Sequence, residues 1–308
     1  MRIAAVDLVS NTCFPLLAAA ELGFFKAEGL DVEIELFPML QGTQALRSGA
    51  VDLMAAGSVY DILTEFPNWR GAKVVAALAQ GTPWVLTVRS DVPGERGDFS
   101  AIKGLRITAA EGPDLAFKQM LVQAGLNPAR DVKLVELPGA RDRDVSFGVF
   151  AAKALMEGSI DGFWANAMGA ETAVSSGAGK ILIDVRRGDD PGNVRNFTFA
   201  AIATTDECIK RDAKGIGGCV TAIVRAQSAL RSDPSLARIV GIRKFPPECA
   251  ELIARTIARD VGFYDPVISE QAVLDLNSFA KTVGHLSGPV RYEDVVGLQF
   301  QSSWTQCR

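Results

Sequence analysis

The sequence predicts an α/β protein built as two similar lobes joined by a hinge, with a cleft between them. An internal echo carries that reading. Ala45-Leu46, Gly49, Val51-Asp52 and Ala56 recur at matching spacing as Ala154-Leu155, Gly158, Ile160-Asp161 and Ala165. Upstream, Arg2-Ile3-Ala4 is matched by Arg106-Ile107-Thr108, and Gly29-Leu30 by Gly125-Leu126. Asp31-Val32 leads to Pro38 as Asp131-Val132 leads to Pro138. Loops drift in length while a scaffold persists, and two copies are too few for a solenoid. A second observation is the alternation of strand-like and helix-like segments, which calls for a mostly parallel sheet with right-handed crossovers. A third is length, since 308 residues suffice for two medium domains.

The first unit opens with a strand from Ile3 to Val9 and the loop Ser10-Asn11-Thr12-Cys13. Pro15 suits a first helical turn, and the helix stops at Gly23. Val32 to Leu36 alternates apolar with charged residues, as a half-buried strand does. Gln41-Gly42-Thr43 starts a helix that ends at Gly49, Val51 to Ala55 makes a third strand, and Ser58-Val59-Tyr60 leads into another helix. Val74 to Leu78 and Val85 to Val88 read as further strands, and the Asp-, Pro- and Gly-rich stretch from Arg89 to Ser100 as the first crossing between lobes. The second unit repeats the pattern with strands Arg106 to Ala110, Val132 to Leu137, Asp161 to Ala165 and Lys180 to Val185. Its helices end at Gly125 and span Val149 to Met156, and a loop runs from Pro138 through Asp144. Phe197 to Thr204 is a returning strand, followed by helices over Val220 to Ser232, Leu236 to Arg243, Glu248 to Asp260 and Glu270 to Val283. Lobe I is therefore expected at 1–90 plus 197–308 and lobe II at 91–196, with hinges near Arg89 to Asp91 and Arg186 to Asn196. The tail from Pro289, with Tyr292, Phe300 and Trp304, is expected to dock on its own body or on a neighbour.

A net charge of −4 and a pI near 5.3 offer no basic field for nucleic acid or an anionic membrane. No apolar run is long enough to span a bilayer, so stable membrane insertion is not expected. Met1-Arg2 passes at once into a strand-like segment. The expectation is a periplasmic location if an export signal has been removed ahead of Met1, and a cytoplasmic one otherwise. Cys13, Cys208, Cys219, Cys249 and Cys307 are scattered without the short spacings of metal sites, and His285 is the sole histidine. Neither a metal centre nor a cofactor is expected, and histidine-based acid–base chemistry has almost no material to work with.

In open α/β sheets ligands bind beyond the carboxyl ends of the strands. For the first lobe that rule selects Ser10 and Asn11, Gln41 and Gly42, Ser58 and Tyr60, with Trp84 on a neighbouring loop. For the second it selects Glu111 to Asp114 with Pro113 among them, Gly139-Ala140, and Trp164 with Asn166; Arg187 is placed to reach a bound carboxylate. Several of these loops precede a helix, where backbone N–H groups favour an anion. Neutral donors dominate, which is an inventory for binding rather than catalysis. Each residue also has a plainer role: Ser10, Asn11 and Ser58 as helix caps, Tyr60 and Trp84 as packing aromatics, Arg186 and Arg187 as solvated hinge charges.

Leu22-Gly23-Phe24-Phe25 followed by Glu28-Gly29-Leu30-Asp31-Val32, together with Ala45-Leu46, Gly49, Val51-Asp52, Gly57-Ser58 and Gly104-Leu105-Arg106-Ile107, resembles a known family. It is that of the ABC-transporter solute-binding proteins for aliphatic sulfonates, taurine, nitrate and thiamine precursors. The resemblance covers Arg2 to Val283. It implies a type II periplasmic-binding-protein fold, a two-lobed flytrap that hands a small anionic ligand to an ABC transporter permease. It also puts Ser10, Asn11, Gln41 and Ser58 at the ligand. The family extends to a desulfinase with a cysteine in the first loop and to a pyrimidine-forming enzyme of thiamine synthesis. An enzyme using Cys13, near a helix amino terminus, is thus the alternative, and a ligand sensor without a transporter a third reading.

Overall fold

The structure, a computed structural model, describes residues 1–140 and 146–305. Part of the predicted loop after Pro138 and Cys307 lie outside the described residues. In chain order the elements are β1 (Arg2–Ala5), α1 (Phe14–Glu21), α2 (Phe24–Ala27), β2 (Glu33–Leu36), α3 (Met39–Arg47), β3 (Leu53–Ala56) and β4 (Ala72–Ala79). There follow β5 (Val85–Arg89), β6 (Arg106–Ala109), α4 (Pro113–Gln123), β7 (Lys133–Leu134), α5 (Phe147–Met156), β8 (Gly162–Ala165), α6 (Ala167–Ser175) and β9 (Gly179–Ile183). The chain closes with β10 (Ala200–Thr205), α7 (Asp206–Ser232), α8 (Leu236–Lys244), α9 (Pro247–Asp260), α10 (Glu270–Thr282) and α11 (Tyr292–Val295).

The strands form two five-stranded sheets, ordered β2-β1-β3-β10-β4 and β7-β6-β8-β5-β9. These are one order written twice, with β1, β2, β3, β4 and β10 matched by β6, β7, β8, β9 and β5. In the first sheet β1 runs parallel to β2 and β3, while β10 is antiparallel to β3 and β4. In the second β6 runs parallel to β7 and β8, while β5 is antiparallel to β8 and β9. The alternation predicts a mostly parallel sheet; the one reversed strand in each is the segment that arrives from the other lobe.

That exchange moves the boundaries. The chain divides into residues 1–81 with 198–308, and 82–197. The predicted crossing at 90/91 falls instead between Gly81 and Thr82, because Val85–Arg89 hydrogen-bonds to β8 and β9 of lobe II. The return falls between Phe197 and Thr198. On the lobe II side the two connections are tied together, Thr82 donating its N–H to Arg195 O at 2.8 Å and its Oγ1–H to Val194 O at 2.6 Å. The hinge residues selected from the sequence, 89–91 and 186–196, belong to lobe II's body.

The echo in sequence is an echo in geometry. Asp52 accepts the Arg2 N–H at 2.8 Å, and Asp161 accepts the Arg106 N–H at 2.9 Å. Each carboxylate thus secures the first residue of its sheet's central parallel strand, β1 or β6. Gly49 and Gly158, both at φ +73°, turn the chain at the end of α3 and α5 in a conformation that L side chains resist. In lobe I, β3 and β10 are buried throughout, and α7 packs on α1 and α2. Asp212 breaks α7 with non-helical dihedrals (φ −149°, ψ 63°), and its carboxylate caps the continuing helix at Gly215 N–H, 2.8 Å. In lobe II, Ala151, Ala152, Leu155, Phe163 and Ala173 form the core between α5, α6 and β8. There a Cβ on Gly169 would lie 2.4 Å from Gly148 O, so the two helices touch backbone to backbone. Among the described residues no helix is long and apolar enough to cross a membrane.

Candidate ligand-binding strand ends

Because β1, β2 and β3 are parallel, their carboxyl ends share one edge of the first sheet, and β6, β7 and β8 share the corresponding edge of the second. On lobe I the chain leaves β1 through a loop organised by Asp7, whose Oδ1 accepts the N–H groups of Val9 (2.9 Å) and Ser10 (3.2 Å). Ser10 is buried, its hydroxyl 2.8 Å from that of Thr12. Asn11 is fully buried: its Nδ2 donates to Asp260 Oδ2 at the end of α9, and its carbonyl accepts the Tyr264 hydroxyl at 2.6 Å. Asn11 therefore rivets the β1 loop to the helical half of lobe I.

Gln41 lies exposed in the first turn of α3, after β2. Next to it, Gly42 lets α3 approach β3, since a Cβ there would stand 3.0 Å from the Met54 methyl. After β3, Ser58 is buried and donates to Asp61 Oδ2 at 2.5 Å, and the following N–H of Val59 donates to Thr198 Oγ1 at 3.0 Å. Tyr60 turns the other way. It is fully buried, edge-on to Phe279 at 4.9 Å and 6.3 Å from His285, which is the packing role. Burial also pushes the His285 pKa down.

On lobe II, β6 runs into Glu111, which is exposed, and Gly112 at φ +89°. Pro113 opens α4, and Asp114 in its first turn accepts Gly112 N–H at 3.1 Å and pairs with Lys118 at 2.5 Å. A carboxylate of the chain itself thus engages the turn where an anion was expected. After β7, Gly139 (φ +82°) and Ala140 are described and 141–145 are not. After β8, Asn166 caps α6 by accepting Gly169 N–H at 3.1 Å. Trp164 is fully buried, stacked on Phe117 at 5.8 Å and tilted against Trp84 at 6.2 Å. Trp84, assigned above to the first lobe, belongs with β5 in the second. Arg187 is ion-paired with Asp184 at 2.8 Å, and Arg186 is only 5% exposed, so it is no solvated hinge charge.

The structure therefore gathers Ser10, Asn11, Gln41 and Ser58 at one sheet edge and Glu111, Pro113, Asp114, Trp84, Trp164 and Asn166 at the other. It sets Tyr60 in the core and Arg187 in a loop of its own ion pairs. Sequence reasoning passed over Thr12, Asp61, Thr198, Asp260 and Tyr264, the last three brought in from the helical half or the return strand. Cys13 ends the β1 loop fully buried, its Sγ 3.8 Å from Ala55 O. Burial, reinforced by the Asp7 charge, pushes its thiol up to about 12. A thiol so placed stays protonated at neutral pH and is not poised as a nucleophile.

The fold recurs in solved proteins. The alkanesulfonate-binding protein SsuA from Xanthomonas axonopodis pv. citri, bound to MOPS, superposes with a TM-score of 0.70 at 16% identity, covering 96% of this chain and 97% of that one. A cysteine-to-serine mutant of DszB in complex with biphenyl-2-sulfinic acid superposes with a TM-score of 0.68 at 16% identity, over 98% of both chains. At such identities the likeness is one of fold. The nitrate import ATP-binding protein NrtC of Synechococcus elongatus is 30% identical over 191 residues, 57% of this chain and 28% of that protein. The chain thus spans under a third of the length of that curated relative. The family model described as NMT1/THI5 like matches residues 10–237. With that match running through both sheets, the chain belongs to the NMT1/THI5-like family.

Proposed function

We propose that the chain is a solute-binding protein that captures a small organic anion, a sulfonate, a carboxylate or a thiamine-precursor-like compound, in the predicted cleft and delivers it to an ABC transporter permease. With that role goes a periplasmic location, reached through an export signal ahead of Met1. The observation that carries the reading is the doubled sheet order, which offers two sets of strand ends furnished, among the described residues, mainly with hydroxyls, amides and indoles. Family membership and the SsuA-like fold support it, and the name of NrtC supports the link to anion import. Ser10, Gln41 and Ser58 would serve the ligand from lobe I, and Trp84, Pro113, Trp164 and Asn166 from lobe II. Tyr60, Arg187, Asn11 and Asp114 drop out of the set because core packing, Asp184, Asp260 and Lys118 already engage them, and Glu111 because its carboxylate would repel an anion.

The test is thermal unfolding against MOPS, methanesulfonate, nitrate, acetate and an aminopyrimidine. A ligand at a hundred times its Kd stabilises the folded state by about 2.7 kcal/mol, a rise of a few degrees for a chain this size. No shift with any of them would discard the proposal. The fold shared with DszB keeps the enzyme reading testable: rapid alkylation of Cys13 that a ligand blocks would favour it, whereas the buried thiol is expected to resist the reagent until the protein unfolds.

A further inference from the structure

Trp164 has a polar atom that the fold leaves without work. Its indole Nε1–H is shielded from solvent and has no hydrogen-bond partner, although the residue is fully buried. Tryptophan N–H groups normally find an acceptor when buried, and an orphaned one carries its full desolvation cost. At the lobe I strand ends the comparable atom is Asn11 Oδ1, an acceptor on an amide already fixed to Asp260.

The position of Trp164 separates it from an ordinary packing residue. It is the third residue of four in β8, two before the Asn166 cap, at the edge where β6 and β8 end. Phe117, which stacks on one side of it, lies one turn inside α4 from Pro113. Trp84, on another side, immediately precedes β5, and since Val85 pairs with Ala165 it lies at that same edge. Trp84 is also the most exposed of the three at 6%, and it stands two residues beyond the point where the chain enters lobe II at Thr82. The donor thus belongs to a residue at a strand end with two aromatic rings packed beside it, and the more exposed of those rings adjoins the interlobe connection.

We propose that the Trp164 indole N–H is the lobe II donor to an oxyanion oxygen of the ligand, and that Trp84 is the movable cover over it. The proposal rests on the solute-binding reading and assigns one bond within it. Sulfonate, carboxylate and nitrate all supply the acceptor, so the bond fixes the class of group recognised rather than the compound. The orphaned N–H lowers the cost of opening, because exposing it restores a hydrogen bond to water, and ligand binding then replaces that water.

The experiment uses the full chain with 15N-labelled tryptophan, its four indole signals assigned by Trp164→Phe and Trp84→Phe, and MOPS, methanesulfonate and nitrate as probes. Phenylalanine keeps an aromatic ring in the stack and removes the N–H together with part of the indole's bulk, so the indole signal is read alongside the affinity. The unliganded Trp164 signal should lie at the upfield position of an unbonded indole and move downfield, saturably, with at least one probe. Trp164→Phe should bind that probe at least fivefold more weakly, with its circular dichroism unchanged. Two results overturn the assignment while leaving the binding reading intact: a probe that shifts other signals but not Trp164, or equal affinity in Trp164→Phe and the parent. If no probe moves any signal, and acetate and an aminopyrimidine are equally silent, the binding reading fails and the assignment falls with it.

Discussion

The two lobes finish the same sheet differently at its far edge. In lobe I the edge strand β4 is covered by the carboxyl-terminal tail. Val296 bridges to Val74, Gly297 N–H donates to Val74 O at 2.9 Å, and Trp304 Nε1 donates to Val75 O at 2.8 Å. In lobe II the edge strand β9 is covered by the stretch after β5. Gly97 N–H donates to Leu182 O, and Lys180 Nζ reaches Val92 O and Gly94 O, each at 2.7–2.8 Å. An open edge is a template for unwanted pairing, so both lobes must close it. Lobe I closes it with buried aromatics from the chain's end, and lobe II with a polar loop and an ammonium. The lesson is that a duplicated sheet keeps its strand order while its edge is sealed with whatever chain is at hand.

Trp304→Ala should break this comparison with the largest effect. Trp304 and Phe300 are each 4% exposed, and removing the indole loses both the apolar contact and the bond to Val75, at a cost of about 3–5 kcal/mol. Lys180→Ala removes two bonds from an exposed edge and should cost about 1 kcal/mol. Urea denaturation followed by circular dichroism measures both. Equal losses would mean that the two edges are sealed with equal strength.

The echoed aspartates sharpen the contrast from inside the sheets. Asp52 and Asp161 make the same backbone bond, yet their charged company differs. Asp52 meets Arg211, whereas Asp161 receives Arg106 through both Nε (3.0 Å) and Nη2 (2.9 Å) and Arg89 at 2.6 Å. Asp161→Ala leaves the Arg106 backbone donor without its acceptor and takes a carboxylate from two arginines, although Arg89 keeps Asp91 and Arg106 keeps the Gly158 and Ser159 carbonyls; it should cost about 2–3 kcal/mol, against about 1–2 for Asp52→Ala. Equilibrium unfolding of the two variants side by side decides it, and an Asp52 variant as damaged as the Asp161 variant would refute the ranking.

This pair also shows what a sequence can disclose. The repeat was legible because Gly49, Gly158, Asp52 and Asp161 answer local demands: a left-handed turn and a carboxylate one step before a strand. The sheet that β5 joins was not legible, since an apolar run of five residues carries no mark of the sheet it will enter. β7 shrank from a predicted six residues to Lys133–Leu134, both exposed at a sheet edge where little packing holds a longer strand. At the candidate site, loop positions followed from the strand-end rule, but roles did not. The Asn11–Asp260 bond spans 249 positions, and Tyr60 meets Phe279 only because α10 packs beneath it.

Acid should separate the lobes by a smaller margin. Hydrogen bonds from Arg106 hold the Asp161 carboxyl down to about 2, reinforced by Arg89. An unfolded aspartate titrates near about 4, so the stabilisation is complete above that pH and is lost as pH falls toward 2. With both arginines partly exposed, about 1–2 kcal/mol is at stake. The stability difference between the parent and Asp161→Asn should therefore narrow steadily from pH 5 to pH 2. A difference that stays constant across that range would show that the carboxylate's charge contributes nothing.

The smallest effect concerns how each lobe starts the turn after the matched strands β3 and β8. Lobe I uses a side-chain pair, Ser58 donating to Asp61, so the hydroxyl is a donor and the carboxylate must be free to accept. Lobe II uses a true cap, Asn166 Oδ1 accepting from Gly169, in a space open only because residue 148 is glycine: a Cβ there would stand 2.6 Å from that oxygen. Asn166→Ala should cost about 1 kcal/mol, while Asn166→Asp and Asn166→Ser, which keep an acceptor, should restore most of it. Ligand affinity measured on the same three variants then tells capping from recognition. If alanine alone weakens binding, the oxygen acts through the helix it caps; if serine and aspartate weaken it as well, the Asn166 amide itself touches the ligand.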